Sequence, residues 1–302
     1  MIAKKKLIKN ILHIAGSLLA VAGIIFLFAN IEWEKFFISV KNFGVVNLFS
    51  ISFFYAVLTA FLFLAWKSRL STEDKKIISG DHFRYIYARS VGAKYLPGNI
   101  FQFASRQIDL SRYGVSQPRI LMTSVDEIIS QALTAFLVIF IFDVTSNTLE
   151  HVIWAHFQEF LPGQTNNIEI WRVIDIAIVS ASLFGIWKRK LFSAVFWHIL
   201  FFIGMELIAQ FLWTNLVPGN NFPSLPYGVV TLSWLIGFVT VGAPAGIGVR
   251  EAIIIISCQT LLGSSGADVG AVLAFSLRFV TIMGDLLFIM VSFTIYHFKS
   301  KP

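Results

Sequence analysis

The residues of this sequence that are best suited to chemistry lie in a short polar interruption of an apolar segment. Pro244, Gly246 and Gly248 are followed directly by Arg250 and Glu251. Proline removes a backbone donor, and glycine allows positive φ and the close approach of another group. A helix that begins after the glycines would add its free N–H groups to the charge of Arg250. We therefore predict a site for an anion at this interruption.

The sequence on both sides of this interruption is apolar, over residues 227–241 and 252–262. Backbone that leaves the helical conformation inside a membrane must be buried in protein or line a water-filled cavity, because lipid offers it no hydrogen-bond partner. The pattern predicts two membrane-embedded helices that are broken at such a cavity.

A second interruption contains Pro97, Gly98 and Asn99 and is followed by Arg106. Residues 81–106 are too charged for a plain membrane span and too apolar for a plain loop. One interpretation is a re-entrant hairpin that enters from the cytoplasmic side and turns at the Pro-Gly pair. The other is an amphipathic helix on the membrane surface, followed by a loop. Arg106 is then either a second ligand-binding cation or a positive charge that marks the inner face.

Three more charged residues, Glu206, Arg278 and Asp285, lie inside apolar segments. Charges within a membrane are costly and usually face the bundle interior or a cavity. Asp285 follows Arg278 by seven residues, which is two helical turns along one face. We expect Asp285 to neutralise Arg278 or Arg250 and to leave the other cation for a ligand, with Glu251 either orienting Arg250 or binding a cationic headgroup. The alternative for Arg278 and Asp285 is a buried ion pair that only fixes helix register.

Composition places the chain among polytopic membrane proteins. Of its 302 residues, 56% are hydrophobic and only 14% are charged, whereas soluble domains carry about 25% charged residues. The net charge of +7 does not indicate nucleic-acid binding, because lysine and arginine fall mainly in short segments between apolar runs. The single cysteine, Cys258, excludes an intramolecular disulfide and a cysteine metal cluster. We find no cofactor or metal motif and no common enzyme signature.

The apolar segments predict an all-α membrane protein that forms one integral membrane domain over residues 1–302. Eight segments are long or apolar enough to be membrane-embedded, in addition to the predicted hairpin: 11–31, 45–66, 120–142, 173–187, 192–216, 227–241, 250–262 and 269–297. Lysine and arginine between them predict a cell-membrane protein with both termini in the cytoplasm. Asp126 and Glu127 are expected to be helix-start charges near the inner face.

The two interruptions occupy matching places in two tentative halves, 45–142 and 192–297, whose segments cross in opposite senses. Paired breaks in inverted halves indicate a transporter site near the middle of the membrane. Glycine-rich breaks also arise from helix packing alone, because small residues let backbones approach closely.

The two motifs resemble those of a known family. Residues 243–251, Ala-Pro-Ala-Gly-Ile-Gly-Val-Arg-Glu, resemble the Pro-Gly-Gly-x-Gly-x-Arg-Glu signature of the lysylphosphatidylglycerol synthase transmembrane-region family, with Ala245 in place of its usual glycine. Residues 94–106 are similar to its earlier Tyr-Leu-Pro-Gly element with a following arginine. The family includes the membrane half of the multiple peptide resistance factor, which moves aminoacylated phosphatidylglycerol between leaflets. Other members are stand-alone proteins encoded among polysaccharide or glycolipid genes.

The resemblance implies a flippase-like fold and the position of the site. Residues 1–302 leave no room for the soluble aminoacyl-transferase domain, so we do not expect lysyl transfer from tRNA. We expect both turns to converge on the phosphate of an anionic phospholipid or a lipid-linked glycan. The expected site comprises Arg250, Glu251, Gly246, Gly248, Pro244, Arg106, Pro97, Gly98, Asn99, Arg278, Asp285 and Glu206.

Two other functions remain open from the sequence. A membrane-embedded enzyme of glycolipid assembly would need an acid or base beside the anion site, for which Glu251, Asp126 and Asp285 are available. A scaffold for a partner glycosyltransferase would need no ligand at either arginine.

Overall fold

The computed structural model describes residues 34, 37, 38, 41, 43–96, 100–146, 168–216, 225, 227–240, 243–263 and 266–299. The predicted segment 11–31 and the turn residues Pro97, Gly98 and Asn99 lie outside the described residues. All regular structure within these ranges is helical, which confirms the predicted fold class.

Ten α-helices and one short 3₁₀ turn make up the described part of the chain. They are α1 (Val45–Arg69), α2 (Thr72–Ile77), α3 (Gly80–Ala93), α4 (Phe101–Arg112), α5 (Gln117–Ser146), α6 (Ile168–Arg189), α7 (Phe192–Leu216), α8 (Val229–Val239), the 3₁₀ turn Pro244–Gly246, α9 (Val249–Leu262) and α10 (Gly266–Lys299).

Four of these helices, α1, α5, α7 and α10, are long and apolar enough to cross a membrane. The shorter of them have 25 residues and span more than the hydrocarbon core of about 30 Å, at about 1.5 Å per residue. Helices α8 and α9 have 11 and 14 residues and are too short to cross it. The chain is therefore compatible with a membrane protein that combines long helices with short ones.

The core lies between the long helices and α8. Phe201 and Phe202 on α7 are fully buried and contact Trp234 of α8, whose ring centroid lies 5.0 Å from that of Phe202. Because lipid is as apolar as these side chains, close packing rather than removal of apolar surface from water stabilises such a core.

One end of the bundle is held together by ion pairs between helix termini. Asp126 near the start of α5 binds Arg69 at the end of α1, at 2.9 Å, and Arg189 at the end of α6, at 3.0 Å. Lys299 at the end of α10 binds Asp81 at the start of α3, at 3.0 Å. We call this the basic end. Helices α1, α6 and α10 run towards it, and α5 runs away from it.

Helices α3 and α4 form a hairpin that opens at the basic end. The ring of His82 in the first turn of α3 lies 5.5 Å from that of Tyr113, which follows α4. His82 also contacts the hydroxyl of Tyr296 near the end of α10, at 2.9 Å. The end of α3 and the start of α4 therefore lie away from the basic end.

Helices α8 and α9 form a second hairpin that opens at the opposite end. Tyr227, just before α8, stacks on Phe142 towards the far end of α5, with centroids 5.1 Å apart. Near the end of α9, Cys258 lies against Gly266, the first residue of α10. The two hairpins therefore open at opposite ends of the bundle.

The helix contacts of one half recur in the other when α1, α3, α4 and α5 are matched with α7, α8, α9 and α10. The contact of α1 with α10 corresponds to that of α7 with α5, and the contact of α3 with α10 to that of α8 with α5. The pairs α3–α4 and α4–α5 correspond to α8–α9 and α9–α10. Both sets of helices thus have the same order, a long helix, two short ones and another long helix.

The short helix α2 is fixed by a capping box that is extended by an ion pair. The Ser71 hydroxyl accepts from the backbone of Asp74, whose buried carboxylate accepts from the backbone of Ser71 and from Arg119 of α5, at 3.0 Å. Burial by itself raises the pKa of Asp74, but the hydrogen bonds from Ser71 and Arg119 outweigh it and hold that pKa below its ordinary value.

We predict that Asp74→Asn destabilises the protein by about 1–3 kcal/mol at neutral pH, because a charged hydrogen-bond acceptor is lost from a buried site. The pKa of Asp74 is lowered in the folded protein, so its contribution is present above the unfolded pKa and lost as pH falls below it. The difference between wild type and variant should therefore shrink below about pH 4. The measurement is unfolding in mixed detergent micelles.

The matched control is Glu73→Gln, because Glu73 also contacts Arg119 but its side chain is 74% exposed. Exposed ion pairs contribute little, so no measurable change is expected. An equal loss of stability in Asp74→Asn and Glu73→Gln would show that the buried carboxylate of Asp74 contributes no more than the exposed carboxylate of Glu73.

Candidate functional site

A polar cavity of about 60 Å³ lies where the two hairpins meet the long helices. One water needs roughly 10–15 Å³ by this measure, so the cavity has room for a few waters. It is lined by Tyr55, Thr59, Leu62, Tyr87, Ser90, Val91, Lys94, Tyr95, Gln102, Phe103, Arg106, Glu127, Gln131, Trp234, Phe238, Ala245, Arg250, Arg278, Thr281 and Asp285. Four of the residues predicted from the sequence, Arg106, Arg250, Arg278 and Asp285, therefore share one cavity.

Arg106 lines the cavity with its charge already neutralised. Its Nη1 lies 2.6 Å from a carboxylate oxygen of Glu127 on α5, and both side chains are buried. The guanidinium also lies 5.1–5.3 Å from the ring centroids of Trp66, Tyr87 and Phe103. The expectation that Glu127 is only a helix-start charge is therefore wrong, because the packing of α4 on α5 makes it the counter-charge of Arg106.

Arg278 is paired with Glu251 rather than with Asp285. Its Nε donates to Glu251 at 2.5 Å, and the second oxygen of Glu251 accepts the Gly248 N–H at 2.6 Å. Glu251 thus caps its own helix and binds α10. The predictions that Asp285 neutralises Arg278 and that Glu251 orients Arg250 are both wrong. Helical spacing shows which residues share a face, whereas the contact of α9 with α10 decides the partner.

Asp285 is fully enclosed and binds the end of the first hairpin helix. Its carboxylate lies 2.5 Å from Lys94 Nζ, accepts from the Tyr95 hydroxyl at 2.5 Å, and accepts from the Thr59 hydroxyl at 3.3 Å. Lys94 and Tyr95 directly follow α3. The sequence analysis did not identify Lys94 as a site residue, because its partner Asp285 lies 191 positions further along the chain. The signal that could have found it is its position just before the Pro97-Gly98 pair.

Arg250 has no ion-pair or hydrogen-bond partner among the described residues, and its Nε is buried. Its guanidinium lies 5.4 Å from the ring centroid of Trp234. The side chain crosses a notch between two glycines. A Cβ added at Gly237 would lie 2.6 Å from its Cγ, and one added at Gly246 would lie 2.7 Å from its Nε.

The turn before α9 has an unusual backbone. Gly246 and Gly248 have φ values of 69° and 86°, and Ala245 has a φ of 50°. An alanine in this left-handed region costs roughly 1–2 kcal/mol relative to a right-handed conformation. Pro244 begins the 3₁₀ turn. The turn brings its backbone against α8, where the Cβ position of Gly246 would be 3.1 Å from the Gly237 carbonyl oxygen.

The charges of the described residues in and beside the cavity do not balance. Four cations lie there with three carboxylates, and the three ion pairs between them leave one cation over. The pairs are Arg106–Glu127, Arg278–Glu251 and Lys94–Asp285, and the remaining cation is Arg250. A site with one excess buried cation attracts an anion.

A second cavity of about 30 Å³ shares Trp234, Arg250, Arg278 and Thr281 with the first. Along α10 it spans residues 274–281, whereas the first cavity spans 278–285. Because α10 runs towards the basic end, the second cavity lies farther from that end. Arg250 and Arg278 therefore separate two cavities.

Glu206 lies outside both cavities. One oxygen of this fully buried carboxylate accepts from the Thr231 backbone at 2.8 Å and from the Thr231 hydroxyl at 2.6 Å. Thr231 is in the first turn of α8, where backbone N–H groups lack helical partners and the helix dipole favours an anion. The prediction that Glu206 lines the ligand path is therefore wrong, because it caps a helix. In the part of the chain that the structure describes, no cluster of His, Cys, Asp or Glu is placed to hold a metal.

We predict that Gly246→Ala displaces the Arg250 side chain, because the added Cβ would meet Nε and the α8 backbone. The matched control is Gly114→Ala, at the left-handed glycine that ends α4. Its φ of 82° is also positive, but a Cβ at Gly114 meets nothing within 4 Å. Both variants should lose about 1–2 kcal/mol of stability to backbone strain, and only Gly246→Ala should lose more. Equal losses in an unfolding measurement would contradict the proposed notch.

We predict that Arg106→Gln destabilises the protein by about 3–5 kcal/mol, because Glu127 would be left as a buried charge without a partner. The double variant Arg106→Gln/Glu127→Gln removes both charges and should recover part of this loss. Unfolding in mixed micelles measures both values. A double variant no more stable than the single one would show that the charge of Glu127 does not matter.

No protein-family model, curated protein or solved structure matches this chain.

Proposed function

We propose that this chain is a lipid translocase that binds the phosphate of an anionic phospholipid or of a lipid-linked glycan in the central cavity. The observation that carries the proposal is Arg250, a half-buried cation whose Nε is fully buried and which has no counter-charge among the described residues, beside a polar cavity. A guanidinium offers planar donors that match phosphate oxygens. The first turn of α9 adds the positive end of the helix dipole beside it.

The arrangement of helices supports transport. The two hairpins are, in this proposal, re-entrant elements of an inverted repeat, and their turns meet near the middle of the membrane. Binding sites of secondary transporters lie at such broken helices. The basic end would face the cytoplasm of the cell membrane, in agreement with the positive-inside rule.

The two ion pairs that tether the hairpins support alternating access. Arg106 on α4 binds Glu127 on α5, and Glu251 on α9 binds Arg278 on α10. These are equivalent helix pairs in the two halves, with the charges reversed. Breaking one pair at a time would open the cavity to one side while the other side stays closed.

The ion pairs that the carboxylates form favour ligand binding as the function of the site over acid–base catalysis. Glu127, Glu251 and Asp285 each contact a cation at 2.6 Å or less. A general base has to be within reach of the proton that it removes and free to accept it. This observation favours the translocase over the enzyme of glycolipid assembly.

The test is lipid movement in phosphatidylcholine vesicles that contain the purified protein. Two fluorescent probes are compared, a short-chain labelled phosphatidylglycerol and a labelled polyprenyl phosphate, with albumin extraction reporting the outer leaflet. We expect the protein to accelerate at least one probe, and Arg250→Ala to slow that movement by about tenfold or more, because a charged hydrogen bond to phosphate is lost.

The matched control is Arg112→Ala, which removes the same charge from an exposed side chain at the end of α4. This variant should move lipid at the wild-type rate. If neither probe moves faster than in empty vesicles, or if Arg250→Ala moves it as fast as wild type, the proposal is wrong.

A further inference from the structure

The contact between Asp285 and Lys94 joins the anion site to a group that can take up a proton. The Asp285 side chain is 1% exposed, whereas that of Lys94 is 21% exposed and lines the cavity. Lys94 is therefore the partner that an incoming anion can reach. Arg250 and Arg278 line the same cavity and repel the charge of Lys94.

An anion bound at Arg250 would compete with Asp285 for Lys94. The ammonium group lies at the end of a flexible four-carbon chain, so it can turn from the carboxylate towards a phosphate oxygen. Asp285 would then lose Lys94, its one charged partner in the described part of the chain, and keep two hydroxyl donors, Tyr95 and Thr59. A carboxylate left alone in a site of low polarity becomes protonated rather than remaining charged.

Among the carboxylates of the site, Asp285 is the one whose charged partner, Lys94, is the most exposed to an incoming anion. The charged and titratable groups near Asp285 come from several elements. Those that face it are Tyr55 on α1, Tyr87 on α3, and Lys94 and Tyr95 just after α3. Arg250 on α9 and Arg278 on α10 line the same cavity. Helix α7 also packs on α10, and its Glu206 is bonded to Thr231. The other two carboxylates of the site have their own arginines.

We propose that Asp285 takes up one proton for each phosphate-bearing lipid that binds at Arg250, so that lipid and proton cross the membrane together. The carboxylate gains the proton and becomes a carboxylic acid as one negative charge enters the cavity. The net charge of the site therefore stays the same. Release of the lipid returns Lys94 to Asp285 and frees the proton on the same side. This proposal rests on the proposed translocase function.

The experiment uses the whole protein in phosphatidylcholine vesicles. The probe is short-chain labelled phosphatidylglycerol, or labelled polyprenyl phosphate if the protein moves only the latter. The medium outside is about one pH unit more acidic than inside, and potassium with valinomycin holds the membrane potential at zero. One proton per lipid predicts about tenfold enrichment of the probe in the inner leaflet at steady state. Empty vesicles give the background.

In vesicles with Asp285→Asn, the probe should be distributed evenly between the two leaflets at steady state. This expectation holds for fast and slow movement alike, because the steady-state ratio does not depend on the rate of lipid movement. The double variant Lys94→Gln/Asp285→Asn carries no unpaired charge at this position and should behave the same way. Asp285→Glu keeps the carboxylate and should retain the enrichment.

The outcomes separate the two proposals. A wild-type protein that moves lipid but gives an even distribution overturns proton coupling and leaves the translocase standing. Enrichment that persists in both Asn variants overturns the assignment to Asp285. A protein that moves neither probe overturns the translocase and this inference together.

Discussion

The structure depends on the pairing of charges that are buried among apolar helices. A charged side chain there is tolerated when a counter-charge lies within contact distance. Arg106–Glu127 holds the first hairpin to α5, Arg278–Glu251 holds the second to α10, and Lys94–Asp285 joins the end of α3 to α10. Within the described ranges, these pairs engage the three carboxylates beside the cavity and leave Arg250 without a counter-charge.

Two of the three pairs lie at equivalent helix contacts, α4 with α5 and α9 with α10, and keep each hairpin with its neighbouring long helix. The third crosses from the end of α3 to α10, and two further donors, from Tyr95 and Thr59, converge on the same carboxylate. Any displacement of the end of α3 relative to α10 would therefore change the surroundings of Asp285.

The packing of the second turn shows why small residues are needed beside Arg250. Gly237 and Gly246 bring α8 and the turn into backbone contact, and the stem of Arg250 crosses the notch that the missing side chains leave. Ala245 adopts the left-handed conformation just before Gly246, at a cost of roughly 1–2 kcal/mol. The strained Ala245, Gly246 and Arg250 thus lie within six residues of one another along the chain.

The sequence by itself determined the helical class, the membrane character, most long-helix bounds and the break before Arg250, because these follow from apolar run length, composition and the backbone limits of proline and glycine. Segment 192–216, for example, is a helix with those bounds. Only the tertiary structure decided the partners. The spacing of Arg278 and Asp285 suggested a pair, yet each binds a residue from another helix, and Glu206 caps α8 instead of lining a path. Helical periodicity shows which residues share a face, but an ion pair forms between faces that packing brings together.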